Sequence, residues 1–117
     1  MNFNRVFLVG KVTREIEVRK TKYGLSVGEF RLMTTHTKKN GDQEECGIDV
    51  TVWGDDADKW SEKLFEGLTA VVEGRLSFQS WDSGGETKTK HGVVASKVEK
   101  IESLNPQQAI DEEDIPF

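Results

Sequence analysis

The chain reads as an all-β domain: five strands closed into a small barrel, one short helix between the third and fourth strands, and an acidic tail behind. Three observations predict it. Residues 46–81 run strand, helix, strand, and each of the two strands ends in a tryptophan, Trp53 and Trp81. In the first of them Ile48, Val50 and Val52 alternate with Asp49, Thr51 and Trp53, the period-two pattern of a strand buried on one face. The composition, 35% hydrophobic and 32% charged over 117 residues, suits one small β-domain with a wet face.

Residues 4–12 form the first strand, with Val6, Leu8 and Val12 on one parity and Phe7 and Val9 on the other. A strand apolar on both sides is either buried on both or meets another subunit. Gly10 inside it marks a bulge or a close backbone approach. Residues 14–20 continue the alternation with Ile16 and Val18 inward, and Gly24 closes a turn. The second strand, 26–35, points Phe30, Leu32 and Thr34 one way and Arg31 the other; Val27 is out of phase, which predicts a bulge near Gly28. Residues 36–45 are polar with an Asn40-Gly41 turn signal and read as a long mobile hairpin loop. Lys38 and Lys39 within it could touch phosphate, although loop lysines usually do nothing specific.

After Gly54 comes the helix, capped by Asp55 or Asp56 and stopped by Gly67. Ala57, Trp60 and Leu64 make an i, i+3, i+7 stripe, so Trp60 belongs to the core and has no binding role. The fourth strand, 68–81, sets Ala70, Val72, Leu76 and Phe78 inward against Val71, Glu73, Arg75, Ser77, Gln79 and Trp81. Residues 82–86 turn tightly, and 87–101 return as the fifth strand with Lys88 and Lys90 across from Trp81. Five strands with a helix between the third and fourth match the Greek-key barrel called the OB-fold, which binds oligonucleotides or oligosaccharides on a strand face. Fold alone does not give function.

The two strand-end tryptophans carry the functional reading. Each falls on the polar parity of its strand. An exposed indole beside Arg and Lys suits unpaired bases, because every base has a stackable face. Two structural alternatives stand beside it: a loop or subunit contact covering Trp53, or a bulge near Gly74 turning Trp81 inward.

Composition narrows the function classes. The only cysteine is Cys46, so there is no internal disulfide, and a reducing cytoplasm is the simplest setting. Cys46, His36 and His91 make no persuasive metal cluster, no cofactor motif occurs, and no nucleophilic triad has a local motif, so an enzyme is the least expected class. No signal peptide organises the N-terminus and no apolar run approaches a membrane span. The net charge of −5 opposes nucleic acid at first sight. Its distribution does not: residues 1–41 hold nine Lys/Arg against three Glu, residues 42–66 two Lys against nine acids, residues 67–104 are balanced, and residues 105–117 hold four acids and no base. Binding responds to the local field rather than to the total.

Residues 1–102 are the expected barrel domain and 103–117 a disordered, flexible acidic tail ending Asp111-Glu112-Glu113-Asp114-Ile115-Pro116-Phe117. A terminal aromatic behind an acidic run suits a basic-rimmed apolar pocket on a partner; an ordinary solubilising tail is the plainer reading. Here the chain resembles the bacterial single-stranded DNA-binding proteins, including those carried by phages. The resemblance rests on Asn4-Arg-Val-Phe-Leu-Val-Gly10 with Glu17-Val-Arg19, on Val52-Trp-Gly54, on Val72-Glu-Gly-Arg-Leu76, on Ser80-Trp81 and on the acidic Ile-Pro-Phe tip.

The resemblance implies a non-enzymatic OB-fold protein. It would bind and protect single-stranded DNA without sequence preference in replication, recombination and repair, and recruit partners of those processes through residues 111–117. A homo-oligomer, a tetramer by family habit, and a cytoplasmic location are implied with it. Trp53 and Trp81 are the expected stacking residues, and Arg5, Arg19, Arg31, Arg75, Lys88 and Lys90 the candidate phosphate contacts. Two further family tryptophans are absent: their positions hold Lys38 and Gly47, and the linker before the tip is short. Each lost stack removes about 1–3 kcal/mol per base. The rivals are an OB-fold interaction subunit of a replication or primosome assembly with weak DNA affinity, and an RNA-binding barrel of the cold-shock type.

Overall fold

The computed structural model describes residues 1–101; the expected tail and its 111–117 tip lie outside the described residues. Five strands and one helix follow in order: β1 Val6–Lys20, β2 Ser26–Thr37, β3 Gln43–Trp53, α1 Asp55–Trp60, β4 Thr69–Ser83 and β5 Glu86–Ile101. They close a barrel in the order β1-β2-β3-β5-β4, the OB-fold expected from the element order.

The strand β1 serves two neighbours. Val6–Lys11 pairs antiparallel with β4, and Lys11–Lys20 pairs antiparallel with β2. The two shifts in the β1–β2 register fall between Val12 and Arg14 and between Arg14 and Glu17, so the extra residues lie on β1. The bulge expected near Gly28 is therefore not on β2, which runs against β3 without a shift from Val27 to Thr37. Bending belongs to β1 because it must leave β4 and join β2 along its length. Gly10 is a close approach: a Cβ there would lie 2.3 Å from the carbonyl oxygen of Met33.

Closure comes from a short parallel pairing, Val50 with Val93 and Thr51 with Val94. The core follows: Val12, Phe30, Leu32, Val50, Val52, Val72 and Val93 are essentially fully buried. Burying each such side chain contributes about 1.5–3 kcal/mol. Ala57 and Trp60 on the helix and Leu64 in the turn that follows it are all buried, in one core cluster with Leu68.

Several local expectations change. The hairpin between β2 and β3 is short: pairing runs to Thr37 and Gln43, and Lys38 N–H donates to Asp42 O at 2.7 Å. Its polar residues misread as loop are strand residues of a ribbon projecting past the core. The helix is capped by Gly54, not by an aspartate; its φ of +69° turns the chain out of β3, and Asp55, Asp56 and Asp58 fill the first turn, where the helix dipole favours acids. The helix stops at Trp60, and turns carry the chain through Gly67 to β4. Thr51, expected on the wet parity, is buried because that row of the outer face continues across β5.

The β4–β5 hairpin is a long arm, paired from Thr69–Ile101 to Ser83–Glu86 around Gly84 and Gly85, both at positive φ. One register shift lies between Glu73 and Gly74, and the extra residue is Ser96 on β5. Hence Val93 and Val98, five apart, both reach the core. The parity of β4 is unbroken. Leu76 and Phe78, expected in the core, are instead exposed, Phe78 at 60%, because the arm has left the barrel before it reaches them. Phe78 meets His91 with ring centroids 5.2 Å apart on the arm's reverse side.

Candidate nucleic-acid interface

The unshifted β2–β3 register builds one wet surface. Val27, Glu29, Arg31 and Met33 lie opposite Trp53, Thr51, Asp49 and Gly47. The strand β1 adds Arg19 opposite Val27, Glu17 opposite Glu29 and Arg14 opposite Arg31. The arm contributes Trp81 opposite Lys88 and Gln79 opposite Lys90. Lys90 Nζ donates to Asp49 Oδ2 at 3.0 Å, so the face of the arm that holds Lys90 leans toward β3. Gly92 permits this: a Cβ there would come within 3.1 Å of Asp49 O.

Trp53 is 45% exposed and Trp81 43%, each half in contact with the sheet and half open. Neither is turned inward, since the bulge at the height of Gly74 sits on the partner strand. Arg19, Arg31, Lys88 and Lys90 share this surface with the two indoles. Arg75 extends it: Glu29, Thr51, Val94 and Arg75 form one cross-strand row. Arg5 stands apart. It pairs with Glu73 beside the start of β1, and a shallow groove lined by Asn4, Ser96 and Val94 joins it to Arg75.

The electrostatic centre is Asp49, which the sequence placed on the parity of Trp53 without revealing its partners. Arg31 Nη1 donates to its Oδ1 at 3.1 Å, and Arg14 Nη2 approaches the same oxygen at 3.5 Å. Glu29 takes Arg14 at 3.2 Å and stands 3.6 Å from Lys90. Partial burial acts to raise the Asp49 carboxyl; the hydrogen bond and charge of Lys90, the hydrogen bond of Arg31 and the charge of Arg14 outweigh it and hold it below the usual carboxylate value. Among the described residues no carboxylate pairs with Arg19, Arg75 or Lys88. The Arg31 guanidinium also crowds Gly47, where a Cβ would stand 2.7 Å from Nη2 and 2.9 Å from Nε. A tryptophan at 47 would have to displace it.

Sequence reasoning missed Arg14 and Glu29 as parts of this surface, because cross-strand register across β1, β2 and β5 cannot be read from one strand's alternation. Among the described residues no group of three His, Cys, Asp or Glu is placed to hold a metal ion. No helix among them is long and apolar enough to cross a membrane. The arrangement offers stacking surfaces and cations.

The model of the Single-strand binding protein family matches residues 3–101. The single-stranded DNA-binding protein of Wolinella succinogenes is 32% identical over 111 residues, covering 91% of this chain and 68% of that protein. That of Aquifex aeolicus is also 32% identical, over 97% of this chain and 81% of its own. In three dimensions the chain is similar to the wild-type single-stranded DNA binding protein from Thermus aquaticus, with a TM-score of 0.74 at 30% identity over 86% of this chain. It spans 50% of that T. aquaticus chain and 62% of its Helicobacter hepaticus relative.

Proposed function

The chain belongs to the single-strand binding protein family, and from that premise we propose that it binds single-stranded DNA, without sequence preference, on the outer face of β2 and β3 and the facing side of the β4–β5 arm. The observation that carries the reading is the pair of half-exposed indoles, Trp53 and Trp81, on one surface with Arg19, Arg31, Arg75, Lys88 and Lys90. Bases stack on the indoles while the cations track the backbone, which suits any base order. Arg5, paired to Glu73, lies at the rim and contributes least. Duplex DNA hides its base faces, so it lacks the stacking half of the interaction.

The finer reading follows the family. The barrel, residues 1–102, protects single strands in replication, recombination and repair in the cytoplasm. The tip, Asp111 to Phe117, recruits the proteins of those processes. The protein works as a homo-oligomer, a tetramer on the family pattern; Phe7, 55% exposed, and exposed Val9 on the outward side of β1 give an apolar surface for subunit contact. A second reading, an OB-fold interaction subunit with weak DNA affinity, draws on the Asp49 and Glu29 carboxylates that neutralise part of the basic face.

Equilibrium binding of a labelled oligo-dT against a duplex of equal length tests the core reading. The proposal expects preference for the single strand; equal or stronger duplex binding would sink it. A chain lacking Phe117 keeps its oligo-dT affinity in that assay and, in a separate pull-down, loses capture of the replication and repair proteins. Unchanged capture would remove the tip's role.

A further inference from the structure

Resting on the single-strand binding reading, we propose that Asp49 is a built-in competitor for DNA phosphate: its carboxylate occupies the central cations of the face in the free protein, and a bound strand must displace it. Both its oxygens are engaged, Oδ2 with Lys90 at 3.0 Å and Oδ1 with Arg31 at 3.1 Å and Arg14 at 3.5 Å. Its side chain is 18% exposed, while the Arg31 and Lys90 side chains are 43% and 30% exposed. The cations therefore remain reachable from solvent while the acid sits among them.

A carboxylate and a phosphodiester offer the same thing to a guanidinium or ammonium group, anionic oxygens at hydrogen-bond distance. The same donor atoms cannot serve both in full. Asp49 also lies on Trp53's strand, four residues before it on the same parity, and bonds the arm through Lys90, two residues from Lys88, which faces Trp81. A strand stacked on both indoles passes over it. Its negative charge then repels the backbone that Arg31, Arg14 and Lys90 would attract. Glu29, shared by Arg14 and Lys90, repeats the effect one row away.

The opposite role is a positioning one, in which Asp49 holds the cations where phosphates need them. The two roles predict opposite signs. Asp49→Asn keeps the shape, removes the charge and frees the cations, and Glu29→Gln does the same beside it. Glu62→Gln, on the segment after α1 and in none of these ion pairs, controls for net charge. The probe is oligo-dT at several salt concentrations, with wild type and the three variants.

Competition predicts that Asp49→Asn binds about tenfold tighter at low salt, on the scale of exposed ion pairs released. It also predicts a salt slope steeper by about 0.7, one more phosphate neutralised. Glu29→Gln should move the same way by less, and Glu62→Gln should stay within about twofold, as expected of a screened surface charge outside these pairs. Unchanged or weaker binding by Asp49→Asn, with wild type binding normally, overturns this proposal and leaves the single-strand reading standing. Equal tightening by Glu62→Gln overturns it in favour of net charge. Binding by Asp49→Asn where wild type shows none upholds it and moves the wild-type protein to the weak-affinity reading; no binding by either overturns both.

Discussion

Trp53 and Trp81 have the same side chain as Trp60 and the opposite fate. Trp60 closes the barrel beside Ala57 and Leu64, whereas the other two stand on the wet face. Replacing Trp53 or Trp81 with Ala should cost about 1–3 kcal/mol of binding per stacked base, read as loss of oligo-dT affinity with little change in melting temperature. A variant that binds as wild type would remove that residue from the stacking surface. The fate of Trp60 was legible in its spacing from Ala57 and Leu64; strand parity pointed Trp53 and Trp81 outward but left open a contact over Trp53 and a bulge under Trp81, and only the paired register, with its extra residue on β5, keeps Trp81 on the outer face. The company of Asp49 was not legible. Its three cations come from β1, β2 and β5, and only the paired register brings them together.

The elements show where local pattern stops being informative. The sequence leaves open a bulge near Gly74 that would turn Trp81 inward; the register does shift there, but the extra residue is Ser96 on the strand opposite, where its Oγ donates to Glu73 O at 3.1 Å. One strand's sequence reports that pairing breaks, not which strand holds the surplus. The same holds at β1 and β2, where the out-of-phase Val27 stands on a strand that is regular against β3, and β1 supplies the bulges. Gly74 itself is a close-approach site: a Cβ would lie 2.1 Å from Val94 O and 2.9 Å from Ala95 Cα, both backbone atoms that cannot rotate away. Gly74→Ala should therefore destabilise the barrel by about 1–3 kcal/mol or more, measured as a lower urea midpoint. An unchanged midpoint would mean that β4 and β5 separate freely there, against the continuous pairing on both sides.

At the scale of the molecule, the order of elements was legible because each strand and the helix has its own period and its own stop. What the order could not give is the length of the arm. Leu76 and Phe78 keep the core parity of β4 yet project past the barrel, so an apolar pattern there does not mean burial. Charge behaves similarly. The total of −5 conceals a basic first third, and the folded face mixes that charge with Asp49 and Glu29. We propose that this mixed face stacks unpaired bases and holds their phosphates. Intrinsic tryptophan fluorescence during titration with oligo-dT, at low and high salt, tests it most directly. Strong saturable quenching is expected at low salt, with an affinity that falls with salt by a slope of about −0.7 per phosphate neutralised. No quenching at low salt, or an affinity indifferent to salt, would contradict it.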